Sequence, residues 1–375
     1  MVNICTIYGE QGYLDLVKCI IDKGAIKGSA RSNMPMTKSI FGNMLKFDLT
    51  QGFPLFTTKK MFTRGLVGEL LWFLSGSTDV RKLNALGVKK FWNEDVYNFY
   101  VKKCTNIGKT PKSFDQWEQD MQNKDTADLD YSAGRIYGHQ WRLFDNSIDQ
   151  VANIIADIIN NPFGRYKVIT AWNPADMPYQ ALPACHMLVQ FNCREMEFGD
   201  RLDWLYLHDA SQYDILKDTP ISHIAEVSKT LDALGVPKLW LDCSMTQRSA
   251  DMMLGVPINI ASYSLMTHII AYLTNCCPGE FTWFGNDCHI YSHHQETALQ
   301  QCNREPFKEC TLKMNVERWK QNSTLNRILE NIKKNDFSSV ELSHLFSNMA
   351  INDFEFVDYK CHDKLEYQLF TGLKQ

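Results

Sequence analysis

A cysteine beside a histidine opens the apolar run ALPACHMLVQF (181–191). Cys185 is either a nucleophile held at the start of a strand or one more core cysteine among twelve. A thiolate can add to an electron-poor carbon, and cationic neighbours help it to form at neutral pH. A second run, TQRSADMMLGVPINIASY (246–263), packs Arg248, Ser249, Asp251, Gly255 and Asn259 between apolar segments. A third, NDCHIYSHH (286–294), adds His289 and Tyr291, two apart and therefore on one side of a strand. Each piece has an ordinary reading by itself: a solvated turn for QRS, a common loop for GVP, a satisfied core histidine for His289. Together with Cys185 and His186 they put more polar groups into buried-looking runs than packing explains, since buried polar groups need partners or a purpose.

The elements around these residues follow from periodicity. GYLDLVKCIIDKGA (12–25) and RGLVGELLWFLSG (64–76) carry apolar residues at helical spacing and end in Gly24 and Gly76. YKVITAWN (166–173), CHMLVQFNC (185–193), KLWLDCSM (238–245) and FTWFGNDCHIY (281–291) are β-rich runs of strand length. YSLMTHIIAYLTNCC (263–277) reads as a buried helix, too short for a membrane span. From Glu305 the chain is more polar, with a helix expected around 323–334 and a strand at FEFVDY (354–359). The block 195–238 interrupts two strand-like runs and reads as a helical insertion, too small for a domain of its own. Within it Thr219 can cap a helix that starts at Pro220 and stops at Gly235 and Pro237.

Bulk properties narrow the classes. A chain of 375 residues with 45% hydrophobic and 22% charged residues is that of an ordinary globular protein. A net charge of −4 argues against binding a nucleic-acid polymer, which a domain-wide positive field would gather. Small anions need only a few placed arginines. No signal peptide or membrane span is expected, and the cysteines form neither CxxC pairs nor zinc-finger spacing. Reduced thiols in a cytoplasm, with no metal, are the reading (the host cytoplasm if the gene is viral).

These segments resemble thymidylate synthase and its relatives, the phage-type deoxypyrimidine hydroxymethylases that serve hypermodified DNA. SIFGNMLKFDLTQGFPLFTTKK, GELLWFLSGSTDV, IYGHQWR, ITAWNPADM, LPACHMLVQF, QRSADMMLGVPINIASY and DCHIYSHH occur in the family's order from about residue 12 to 306. The resemblance implies an α/β (α+β) fold, one catalytic domain over 1–375 with the 195–238 insertion and a divergent region at 307–375, and a large mixed sheet whose face packs on a second subunit. Cys185 matches the nucleophile that adds to C6 of the pyrimidine, turning C5 into an enolate carbon that attacks 5,10-methylenetetrahydrofolate, the one-carbon cosubstrate. Glu69 matches the proton-relay glutamate, with Tyr137 and His186 at supporting positions. Arg248 and Ser249 match phosphate contacts. Arg31 matches a mobile phosphate-loop arginine, in a loop one residue longer, and Arg165 matches an arginine donated across the homodimer, whose neighbour is Tyr166 in place of a second arginine. His289 and Tyr291 match ribose contacts, and Trp92, Leu182, Asp251 and Gly255 match positions lining the folate.

Different residues bear on the choice of base and on the product. The carboxamide of Asn259 complements the N3–H and O4 of uracil, whereas cytosine-using relatives resemble this motif with Asp, so dUMP is the expected substrate and dCMP the alternative. A flipped amide could still pair with cytosine if nothing fixes its orientation. The product depends on what quenches the exocyclic methylene. Ala184 in place of a proline, Asn93 in place of an Asp after Trp92, Tyr166, the insertion and the polar end DYKCHDKLEYQLFTGLKQ depart from thymidylate synthases. They favour water, giving 5-hydroxymethyl-dUMP and tetrahydrofolate, over hydride, giving dTMP and dihydrofolate. Glu69 and His289 are the candidates for activating that water. The reading from another class is a silent relative whose insertion and end serve binding; the intact Cys185, Arg248, Asn259, His289 and Tyr291 speak against it.

Overall fold

The computed structural model describes residues 8–28, 35–89, 91–121, 131–217 and 221–367. Arg31, Thr219 and Pro220 lie outside the described residues, so the expected phosphate loop and helix cap are not seen. Six strands form one mixed sheet in the order β1 (Ala25–Lys27), β2 (Thr37–Asp48), β6 (Cys277–Tyr291), β5 (Leu239–Asp251), β4 (His186–Glu195), β3 (Val168–Thr170). Only β5 and β6 run parallel. A parallel pair needs a long crossover, and the helix Gly255–Leu273 supplies it. That helix starts eight residues before the run read from the sequence and is buried along most of its length. At 19 residues it is apolar and long enough to cross a membrane, but here it is the core.

Alternation decides which face is covered. Val189, Phe191, Leu241, Met245, Phe281, Trp283 and Phe47 point into the core under the helices. The opposite row, Leu188–Thr246–Phe284–Met44 by register, stays partly open, and Phe41 beside it is 75% exposed. Among the described residues this face of the sheet is thus left partly uncovered in the single chain.

The expected helices appear as Gly9–Lys23 and Thr63–Leu74, with Gly76 at φ +77° just past the second. The strand expected at 166–173 shrinks to three residues, while the one at 238–245 continues to Asp251. QRSAD is therefore strand, not a solvated turn. The block between β4 and β5 holds helices Phe198–His208, Ala210–Leu216 and Ile224–Ala233, with a separate small core of Leu205, Val227, Leu231 and Val236. Past residue 306 the structure corrects the picture of a polar tail. Trp319, Leu325, Ile328, Ile332, Leu345 and Phe346 join the main core. β7 (Thr311–Met314) and β8 (Phe354–Val357) form a second, two-stranded sheet. The charged faces of amphipathic helices, such as Ser323–Lys333, gave the segment its polar composition.

Candidate active site

Cys185 sits at the entry to β4, one residue before a register shift against β5. Such a bulge re-aims side chains. The Cys185 backbone N–H donates to Tyr137 Oη (2.8 Å), as does that of His186 (3.3 Å). From the other side the Arg248 N–H donates to the Cys185 carbonyl (2.9 Å). The Arg248 guanidinium returns along the same segment, with Nε on the Ala184 carbonyl (2.8 Å), Nη2 on the Pro183 carbonyl (2.9 Å) and the plane over the Trp172 ring (5.5 Å). A fixed cation is thereby placed beside the backbone of Cys185. Cys185 is half-buried, unlike Cys243 and Cys288, whose thiols burial pushes up to about 12. Those two are inert core residues at neutral pH; Cys185 is the one set in a polar frame.

The helix Thr63–Leu74 delivers Glu69 to this frame. Trp92 Nε1 donates to Glu69 Oε1 (2.6 Å). Burial raises the Glu69 carboxyl to about 7, against the pull of that hydrogen bond. A small cavity of about 10 Å³ lies against it, lined by Leu70, Phe73, Trp141, His186, Ser262 and Tyr263. His186 Nδ1, Ser262 Oγ and Tyr263 Oη are buried with no hydrogen-bond partner among the described residues. That is room and hydrogen-bonding capacity for one water. Burial first, then the Arg248 charge, hold His186 down at about 4 despite its bond to Asn259. The Tyr137 phenol is pushed far above its usual range by burial. His186 and Tyr137 are thus neutral positioning groups, and Glu69 is the member of this set that titrates near 7.

Asn259 projects from the helix Gly255–Leu273 and is buried. Its orientation is settled two residues away. An indole N–H can only donate, so Trp283 Nε1 on Gln247 Oε1 (2.9 Å) fixes which end of Gln247 is oxygen. Gln247 Nε2 then donates to the Ser249 carbonyl (2.9 Å) and to Asn259 Oδ1 (3.1 Å). The Asn259 oxygen is assigned, and its NH₂ points away from Gln247. Gly285 makes the arrangement possible, since a Cβ there would fall 2.1 Å from the Trp283 ring.

The remaining residues line the ends of β5 and β6, where register sets Ser249 against Asp287 and Asp251 against His289. Asp251 Oδ1 accepts the N–H groups of Met253 (2.9 Å) and Leu254 (3.2 Å), closing the turn into Gly255. His289 and Tyr291 are half-buried between the buried Cys288 and Ile290, ring edge to ring at 5.3 Å. Lys59 was not named from the sequence. It is buried at this end, donates to the Met253 carbonyl, and is pulled down to about 8 by burial, with the Asp251 and Glu10 charges opposing.

Trp92 joins the Glu69 wall rather than standing apart, and Leu182 packs on the core two residues before Ala184. Arg165 is not brought to these residues. It is exposed on the loop before β3, which Lys167 ties down through the Asn161 and Gly164 carbonyls (2.8 and 2.7 Å). Tyr166 beside it is 91% exposed. Gln247, Trp283, Ser262 and Tyr263 escaped sequence reasoning although three of them lie inside a quoted motif. A polar group buried mid-run was the only signal for Ser262 and Tyr263. Among the described residues no three His, Cys, Asp or Glu side chains are grouped to hold a metal ion. A family model described as thymidylate synthase matches residues 11–371, well past the limit near 306 read from the motifs.

Proposed function

The chain belongs to the thymidylate synthase family, and from that premise we propose that it transfers a one-carbon unit from 5,10-methylenetetrahydrofolate to C5 of dUMP, ending as 5-hydroxymethyl-dUMP. The Cys185 thiolate adds to C6 and the resulting enolate carbon takes the methylene. Net transfer of the C5 proton to the departing folate nitrogen releases tetrahydrofolate and leaves an exocyclic methylene. A water then bonds through oxygen to that carbon and gives its proton to the Glu69 carboxylate, while the ring electrons return to expel Cys185. The single observation that carries the water step is the Glu69 carboxyl near 7 bordering a water-sized cavity with three unsatisfied polar groups. Arg248 and Ser249 take the phosphate, helped by Arg31 and by Arg165 from a second subunit, and the partly uncovered sheet face supports the dimer. His289 and Tyr291 take the ribose hydroxyl, and Trp92, Leu182, Asp251 and Gly255 border the folate. The reduced thiols fit a cytoplasmic enzyme.

One observation favours a second reading, reductive methylation to dTMP. The C-terminal segment is strapped onto the body. Tyr359 Oη donates to the Phe56 carbonyl (2.7 Å), Arg304 Nη1 bridges the Thr58 and Asp363 carbonyls (both 2.7 Å), and the Tyr367 ring lies 5.1 Å from Lys59 Nζ. A closed strap excludes water and so favours hydride. Mass spectrometry of the nucleotide formed from dUMP and methylenetetrahydrofolate decides between them. A product 16 mass units lighter than 5-hydroxymethyl-dUMP, with dihydrofolate absorbance rising, would overturn the first reading.

The Trp283–Gln247–Asn259 chain supports uracil over cytosine, because Asn259 then offers N3–H an acceptor and O4 a donor. In Asn259→Asp the donor to O4 is lost and the cytosine amine gains an acceptor. The kcat/KM ratio for dCMP over dUMP is expected to rise at least about tenfold, the order of one buried hydrogen bond. An unchanged ratio would remove Asn259 as the base reader.

A further inference from the structure

The block between β4 and β5 holds none of the residues assigned to the chemistry, yet it holds most of the chain's charge imbalance. Residues 195–238 contain nine Asp and Glu against four Lys and Arg, whereas the rest of the chain has 34 against 35. Its first two helices rest on the small core largely through half-buried side chains, Phe198, Leu202, Trp204, Tyr213 and Leu216. Phe198–His208 buries only Arg201 and Leu205, and Ala210–Leu216 buries nothing. Tyr206 and Tyr213 meet edge to ring at 5.1 Å and join the two helices. Outside that contact Leu207 is 77%, Ile215 68% and Tyr206 57% exposed. The exposed carboxylates Asp203, Asp209 and Asp214 stand among them. Of the basic residues here, Arg201 turns inward to Asp232 (2.7 Å), and Lys217 pairs with Asp214 (2.7 Å). A seven-residue helix with no buried side chain is marginal by itself, and exposed large apolar groups clustered among charges mark an interaction surface.

We propose that the Tyr206–Leu207–Ile215 surface is a docking site for another protein that presents apolar residues flanked by Lys or Arg. The charge selects this occupant. A second copy would set the same three carboxylates against themselves in a two-fold contact. Nucleic acid and an anionic lipid surface are repelled for the same reason. A basic apolar segment instead buries Leu207 and Ile215 while its cations meet Asp203, Asp209 and Asp214, with an on-rate that falls with salt.

The test uses the full chain and two labelled 18-residue amphipathic peptides, one with Leu and Lys faces, the other with Leu and Glu faces. Fluorescence anisotropy is expected to show the Lys peptide binding and the Glu peptide at least tenfold weaker. A Leu207→Asp, Ile215→Asp double variant should lose at least tenfold in affinity for the Lys peptide, and 0.5 M salt should do the same. Both substituted side chains are exposed, so circular dichroism and nucleotide turnover should be unchanged. Cross-links from the Lys peptide should map to 203–215. The proposal is overturned if the two peptides bind alike or not at all, if the double variant binds the Lys peptide as wild type does, or if the full chain prefers phosphatidylcholine vesicles or self-associates through this surface.

Discussion

Replacing Cys185 with serine is expected to lower nucleotide turnover by at least about 1,000-fold, since the hydroxyl is a far weaker nucleophile at neutral pH. The fold should be retained, because the frame around the position is made of backbone groups: Tyr137 Oη on two N–H groups and Arg248 on three carbonyls. The stable adduct that wild type forms with 5-fluoro-dUMP and methylenetetrahydrofolate should be absent from the variant by intact mass. No adduct with folded wild-type protein would leave the silent-relative reading standing. The same variant tests the assignment of Arg165. Subunits of Cys185→Ser mixed with subunits of Arg165→Ala, each nearly inactive alone, should recover activity after exchange. One active site of the hybrid then has both an intact thiol and an intact donated arginine. Hybrids no better than their parents would place Arg165 elsewhere.

The second large effect is expected at Glu69. In Glu69→Gln the proton acceptor is lost, and kcat should fall about 100- to 10,000-fold. The wild-type rate should rise with pH through about 7, where the buried carboxyl ionises, and the variant should lack that limb. Stability should move the other way. The folded-state value near 7 lies above the ordinary 4.5, so the contribution of Glu69 to folding is complete below about 4.5 and is lost as pH rises through about 7. Ionised at pH 8, the buried carboxylate costs up to about 3 kcal/mol. Glu69→Gln should therefore melt a few degrees higher than wild type at pH 8 and no higher at pH 4.5, by calorimetry. A variant that melts lower at pH 8, or that keeps the alkaline rise in rate, would remove Glu69 from its place as the titrating group.

Much of this was readable from the sequence wherever side-chain chemistry and local pattern coincide. The strand and helix that carry Cys185 and Glu69 could be placed from periodicity, as could the excursion between β4 and β5. The 12-residue β2 went unread because Gly42, Asn43 and Lys46 interrupt its apolar alternation. Its identity as a strand comes from pairing with β6, a long-range fact. Gln247 and Trp283 were missed for a related reason. Neither has a local signature, and their role exists only because β5 and β6 lie side by side, with Gly285 leaving space for the indole. After 306 the expected helix and strand are found, but their place in the main core went unread, because average polarity hides an amphipathic face that finds its partner only in the folded molecule.

That late segment packs on the helix that holds Glu69. Gly68 faces Ile351, and Arg142 reaches the Ser339 carbonyl (2.8 Å) while its guanidinium lies over the Phe346 ring. The helix that holds Glu69 is therefore backed, on the side of Gly68, by the last seventh of the polypeptide. A chain still on the ribosome, growing at about 5–20 residues per second, presents Cys185 and Arg248 several seconds before the segment that backs this helix. A chain terminated before Ile351 lacks this packing, and its Glu69 carboxyl is expected to titrate closer to the ordinary 4.5.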